Sequence, residues 1–366
     1  MQRFLIVYQS KPEIISGLAE AFKKKGVEVI IFLADENQLW IDKFFFRAIN
    51  KLAHNLRLLK KSSFLFTKNK FSHWNYLNNK LVEFCKKNKP DGVFFIHGVH
   101  YSNLTLSQIK CPKIAWLVDP VFCPERLRLF TSQLDWYFSY SKQAIKVMNQ
   151  FGFFNTSYLP HAVDHNQFYS ILHQKKSIDL CFVGKHSIHR EKYILAALKI
   201  TKKVSIYGSR WIAPAFSNPA LFLSIKGTEC YGEKLNNLYN SSKIVLSIIA
   251  KPQGSMNLHS GINMRPYEIL ASGALLFSDN YEELDSSLID KKNIILFNSV
   301  DEFESILAKL LTDNQLVESI SLSGKQYIQG RFTYDEMAET IIKKFLEIQR
   351  GYFNKINLNL KCSPSN

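Results

Sequence analysis

The chain has 366 residues, 46% of them apolar and 21% charged, with a formal net charge of +16. That length exceeds one ordinary core and suits two domains, and the balance excludes a chain too polar to fold. Polar and charged residues interrupt every apolar run well short of the roughly 20 residues a membrane-spanning helix needs, and six cysteines without a Cys-x-x-Cys pair exclude a zinc ribbon. The cysteines read as reduced, mostly buried thiols, as expected of a cytoplasmic protein.

In chain order, FLIVY at 4–8 predicts a first strand, too short for a signal-peptide core and without a small-residue cleavage site. A helix from about Pro12 to Lys25, stopped by Gly26, and the run VEVIIFLA complete a strand-helix-strand unit. Residues 40–88 are helical by composition and hold most of the charge. Between Lys43 and Lys89 twelve cations face one acid, Glu83, which is +11 of the +16. DGVFFIHG, PKIAWLV and residues 135–140 predict strands, and a helix over 141–150 closes the first domain. After YLPHAVDHNQF the pattern restarts with IDLCFVG, a helix from near His189, KVSIYG, a helix near 233–240, KIVLSII, a helix over Pro266 to Ser272, and ALLFSD. Alternation of this kind predicts an α/β chain of two doubly wound domains with parallel sheets. The expected divisions are 1–160, 161–331, a helix over 332–350 returning to the first domain, and a loose tail over 351–366. Two such domains in series face a central cleft at the carboxyl ends of their strands, where ligands bind.

Loops after strands are therefore the places to look for chemistry. In GINMRPYEILASG, Pro266 suits a first helical turn and Gly273 a helix end, so a helix is expected to start beside Arg265. Its unpaired N–H groups and Arg265 form a ready diphosphate site. Glu268, less than one turn in, can accept hydrogen bonds from vicinal ribose hydroxyls. The same Arg-x-x-Glu spacing also describes a plain salt-bridged first turn. His97 and Asp119 each follow an apolar strand; His97 could hydrogen-bond a donor sugar or serve as base, and Asp119 could orient or deprotonate an acceptor hydroxyl. His97 could equally be satisfied by neighbouring backbone, and Asp119 before Pro120 could be a helix cap. The chain has no Asp-x-Asp, so no paired carboxylates of that kind present a divalent cation. Charge on a leaving diphosphate would then be met by Arg265, Lys185 and helix-terminal amides.

The string GINMRPYEILASGALLFSD resembles the signature of the CgeB-like glycosyltransferases, a branch of the group 1 (family 4-like) GT-B enzymes. IAWLVDP, YFSYSKQAIKVMNQFG, YLPHAVDHNQF, DLCFVGKHSIHRE and FTYDEMAETII follow the family's order over about residues 90–345. The resemblance implies a GT-B fold of two Rossmann-like domains and hexosyl transfer from a nucleoside-diphosphate sugar, without metal or cofactor. The acceptor would be a protein, a glycan or a lipid-linked glycan. Carried over by position, Asn263, Arg265 and Glu268 belong to the donor site, with Gly184 and Lys185 in the FVGK turn and Arg190 assisting. Lys185 and Arg190 could also be solvated loop residues. The wider group often has a second glutamate eight residues before the first, where this chain has Ser260; CgeB-like sequences commonly lack it too.

Residues 40–66 mix aromatic, aliphatic and cationic side chains, a composition that can lie on an anionic membrane. The commoner use of that pattern is a helix packed on its own domain with lysines outward. Two other classes stay open, a nucleic-acid-binding protein using the basic 43–89 stretch and a non-catalytic nucleotide-sugar-binding protein. Nucleic acid ranks lower because no reading motif accompanies the charge.

Overall fold

Apolar strands that alternate with helices bury both faces only as parallel sheets covered on each side. The computed structural model describes residues 2–10, 13–59, 63–97, 101–118, 133–249, 261–280, 283 and 287–361, and holds two such sheets. They belong to two compact units, Met1–Leu159 with Asp335–Asn366, and Pro160–Tyr334.

The first unit runs β1 (Arg3–Tyr8), α1 (Glu13–Lys24), β2 (Glu28–Leu33), a π-helical turn Asp42–Phe46 leading into α2 (Arg47–Asn55), and a second π turn His73–Leu77 leading into α3 (Asn78–Asn88). β3 (Gly92–Ile96), α4 (Asn103–Gln108), β4 (Lys113–Leu117), β5 (Trp136–Ser139), α5 (Lys142–Gln150) and β6 (Thr156–Tyr158) follow. The strand order is β2-β1-β3-β4-β5-β6, all parallel. Alternate residues face opposite sides: Leu5, Val7, Val93 and Phe95 join one core, while Phe4 meets the rings of Phe22 and Phe345.

The second unit runs β7 (Ile178–Val183), α6 (Ile188–Ile200), β8 (Val204–Tyr207), α7 (Ile212–Ala215), α8 (Pro219–Ser224), β9 (Ile225–Gly227) and α9 (Gly232–Asn240). It continues with β10 (Ser242–Ser247), α10 (Met264–Ala271), β11 (Leu275–Asp279), β12 (Ile295–Phe297), α11 (Val300–Thr312) and α12 (Asn314–Ile328). The order β12-β11-β10-β7-β8-β9 places the reversal at β7 and β10, the crevice where doubly wound sheets bind ligands. α13 (Tyr334–Lys361) packs on the first unit, and Gly92 makes room for it. A Cβ there would lie 2.6 Å from the ring of Phe345.

Three local expectations change. The stretch 40–88 is helical only at its ends, because Arg57 and Phe66 take positive φ and Leu65 exchanges hydrogen bonds with the side chain of Asn50. The tail expected from 351 continues α13 to Lys361. Helix propagation costs little once the buried start at Met337, Ala338, Ile341 and Phe345 is docked. α10 begins two residues before Pro266, for reasons given below.

Of the thiols described, Cys85, Cys181 and Cys230 are buried and Cys111 half-buried. Burial, with a smaller push from Cys111, raises Cys85 to about 12, and burial raises Cys111 to about 11. Since thiolate is the reacting form, alkylation of these two at pH 8 is expected to be at least roughly a hundredfold slower in the native than in the unfolded chain. Peptide mass mapping after timed iodoacetamide labelling reads this directly.

Candidate functional site

Where β7 ends, the chain must turn tightly under its neighbour. The Gly184 N–H donates to the carbonyl of Tyr207 (2.8 Å), and its own carbonyl accepts from the indole of the buried Trp211 (2.7 Å). A Cβ on Gly184 would stand 2.9 Å from the ring of Phe182 and 3.3 Å from Arg190 Nη1. Lys185, next in the turn, is exposed. Ser187 then caps α6, accepting from the Arg190 N–H at 3.3 Å.

Arg190 ties two loops together. Its Nη1 donates to the carbonyl of Lys185 (2.8 Å), and its Nε (3.0 Å) and Nη2 (2.7 Å) both donate to the carbonyl of Ile248, just past β10. The guanidinium also lies over the ring of Phe182, 5.5 Å from its centroid. Three of its donors are thus committed to backbone, and it holds the crevice before it can assist any ligand. Burial, and after it the nearby positive charge of Arg265, lower the Arg190 pKa to about 10, while Asp279 opposes them.

α10 starts at Met264 because Asn263 acts as its N-cap, its Oδ1 accepting from the Arg265 N–H at 3.0 Å. Pro266 is tolerated inside the first turn, where no intrahelical partner is lost. The cap occupies one N–H and Pro266 brings none, so this helix start offers fewer backbone donors than an uncapped one. More of the anion-binding task falls on side chains. Arg265 Nε is buried with no hydrogen-bond partner. Glu268 is 5% exposed. The wholly buried Tyr239 on α9 lies within electrostatic reach of both: burial first, then Glu268, push its phenol well up, with Arg265 opposing. Its hydroxyl has no hydrogen-bond partner. Asp279, at the end of β11, accepts from the Ile249 N–H at 3.1 Å, and its other oxygen stands 3.9 Å from His189 Nε2, beyond hydrogen-bonding distance.

Gly184, Lys185, Arg190, Asn263, Arg265 and Glu268 all stand in the second unit, on the loops and helices that follow β7 and β10. His97 stands apart from them in the first unit, directly after β3. Its φ of 71° is left-handed, a conformation side chains rarely adopt, and its N–H donates to the carbonyl of Trp116 at 2.8 Å. Asp119 and Ser260 lie outside the described residues. Tyr239, Asp279 and His189 were not anticipated. Asp279 had a legible signal, since a carboxylate closing the apolar run ALLFSD marks a strand's carboxyl end. Tyr239 had none, because only the packing of the second unit brings it within electrostatic reach of Arg265 and Glu268.

Residues 190–343 match a family model described as "Glycosyl transferase-like". A search of curated proteins returns no match. Among solved structures, the chain is similar to HepE from Anabaena in complex with UDP and glucose, at 12% identity over 95% of this chain and 100% of that one, with a TM-score of 0.65. It is also similar to sucrose-phosphate synthase from Thermosynechococcus elongatus (11% identity, 96% and 100% covered, TM-score 0.64). A glycosyltransferase from Rickettsia africae gives 14% identity, 95% and 98% covered, and a TM-score of 0.62. The fold is α/β, of the GT-B class.

Proposed function

We propose that this chain is a CgeB-like glycosyltransferase that moves a hexose from a nucleoside-diphosphate sugar to an acceptor hydroxyl without a divalent metal. One observation carries the donor site: Arg265 holds a buried, unpartnered Nε within electrostatic reach of a second guanidinium, Arg190, at the strand-order reversal of the second sheet. Two like charges held together in low dielectric call for an anion. A diphosphate supplies it, and the glycosyl transferase-like segment supplies the chemistry it belongs to.

Each residue then has a task. Gly184 lets backbone approach the phosphates, Arg265 and Lys185 meet charge growing on the leaving diphosphate, and Arg190 holds the two loops in register. Glu268 accepts the ribose hydroxyls, with Asn263 fixing the start of its helix. The bond from the anomeric carbon to the diphosphate breaks, a bond to the acceptor oxygen forms, and the acceptor proton passes to a base, with His97 and Asp119 as candidates. Likeness to HepE makes uridine diphosphate the first nucleotide to test.

The test is a thermal-shift screen of nucleoside diphosphates and their sugars. A ligand at a hundred times its Kd adds about 2.7 kcal/mol to the state it binds, so wild type should melt roughly 5 °C higher with the right donor. Glu268→Ala and Glu268→Gln should lose most of that gain. Absence of any nucleotide effect on wild type, or its full survival in both variants, rules out this donor site.

A further inference from the structure

The helix 42–55, a π turn running into α2, leaves more apolar surface outward than a helix that only completes its own domain needs to. Its inward positions are Asp42, Phe46, Asn50 and Ala53. Two of these are polar and held by hydrogen bonds: Asp42 accepts from the His73 N–H (2.9 Å) and pairs with Arg47 (3.4 Å), and Asn50 donates to the carbonyl of Phe46 (2.9 Å). Its outward positions carry large apolar groups. Phe44 is 69% exposed, Phe45 52%, Leu52 58% and Leu56 60%, with Trp40 at 72% just before the helix. Phe45, Leu52 and Leu56 are spaced by seven and four residues, which sets them along one side.

The concentration is local. Of the 22 exposed large hydrophobic side chains among the described residues, eight fall within 40–71. Scattered exposure of this kind needs no explanation, but a contiguous patch marks an interaction surface. Cations border it, with Lys43 and Lys51 exposed on the helix itself. Lys43 Nζ lies 5.8 Å from the ring of Phe44, and Lys70 Nζ 4.9 Å from that of Phe71. Asp42, the acid on the helix itself, is buried and already engaged.

We infer that this face docks on an anionic phospholipid surface, with the aromatic and leucine side chains in the headgroup boundary and the lysines and arginines on lipid phosphates. Charge selects this partner. A second copy of the chain would bring +11 against +11 over residues 43–89, which repels. Single-stranded nucleic acid stacks on aromatics and leaves leucines unused, whereas a bilayer takes both. The surface lies in the first unit and does not depend on the donor reading, which concerns the second.

Flotation of the full chain with equimolar phosphatidylglycerol and phosphatidylcholine vesicles should carry protein upward. Vesicles of phosphatidylcholine alone should not, and high salt should release it. Phe44→Ser with Leu52→Ser should weaken binding by roughly tenfold or more at unchanged melting temperature, since both side chains are already exposed. Lys43→Gln with Lys51→Gln should weaken it and flatten its salt dependence. The inference is overturned if the folded wild type ignores anionic vesicles, or if the Phe44 and Leu52 variant floats as well as wild type. It is equally overturned if an oligonucleotide is bound in place of vesicles, or if the patch proves to hold two copies together. The nucleotide-dependent melting shift reports separately on the donor site.

Discussion

Arg265→Ala is expected to cut sugar transfer by about a hundredfold to a thousandfold, the range for removing one donor aimed at developing charge, without lowering the melting temperature of the ligand-free protein. The two halves of this result come from one fact. Arg265 Nε is buried and unpartnered, and its charge lowers the pKa of Arg190. Removing it relieves a repulsion and breaks no hydrogen bond of that nitrogen, so the empty protein should be as stable or slightly more so. On the proposed donor reading, a bound diphosphate would lose its fork. Arg265→Lys keeps the charge without the planar pair of donors and should fall in between. Steady-state transfer and melting curves with and without nucleotide decide the matter together. A variant that turns over normally but melts several degrees lower would make Arg265 a packing residue.

Gly208→Ala should produce the largest loss of stability among single substitutions near the crevice, about 3–5 kcal/mol. Gly208 has φ of +154°, and a Cβ there would fall 2.0 Å from the Gly184 carbonyl oxygen and 3.2 Å from the Lys185 nitrogen. Backbone is all it meets, so no side chain can swing aside. The turn after β7 would have to move, and with it the carbonyl of Gly184 that receives the Trp211 indole. Gly26→Ala is the matched control: its φ of +75° is also left-handed, but open space surrounds it, so about 1 kcal/mol is expected. Urea unfolding followed by the intrinsic fluorescence of the chain's five tryptophans and by far-ultraviolet dichroism should show a much larger fall in midpoint for Gly208→Ala than for Gly26→Ala. Equal midpoints for the two variants would contradict the close approach of the turns after β7 and β8.

The crevice was readable where its signals are local. Arg265, Pro266 and Glu268 announce a helix start because proline tolerance and first-turn charge act within a few residues. Even there the boundary moved, since Pro266 alone marked the expected start and the structure begins the helix two residues earlier, capped by the Asn263 side chain. Arg190 reads as a loop cation because its acceptor, the Ile248 carbonyl, stands 58 residues away. The helix 42–55 was open to the ordinary reading of lysines outward and apolar groups inward. The structure keeps Lys43 and Lys51 outward and Phe46 and Ala53 inward, but it also buries Asp42 and Asn50 and leaves Phe44 and Leu52 outside, a mixture that periodicity cannot show, because a period defines two faces without saying which side chains the core takes.

By itself, then, the amino-acid sequence determined the alternation of strand and helix, the restart after residue 160, and the basic stretch between Lys43 and Lys89, since each is a property of neighbouring residues or of composition. Tertiary structure alone decided that Arg190 bridges the loops after β7 and β10, that Tyr239 is buried within electrostatic reach of Arg265 and Glu268, and that large apolar side chains of the helix 42–55 are left outward. Those outcomes depend on which side chains meet across the sheets and on what each meeting excludes from water, and neither is encoded in spacing along the chain.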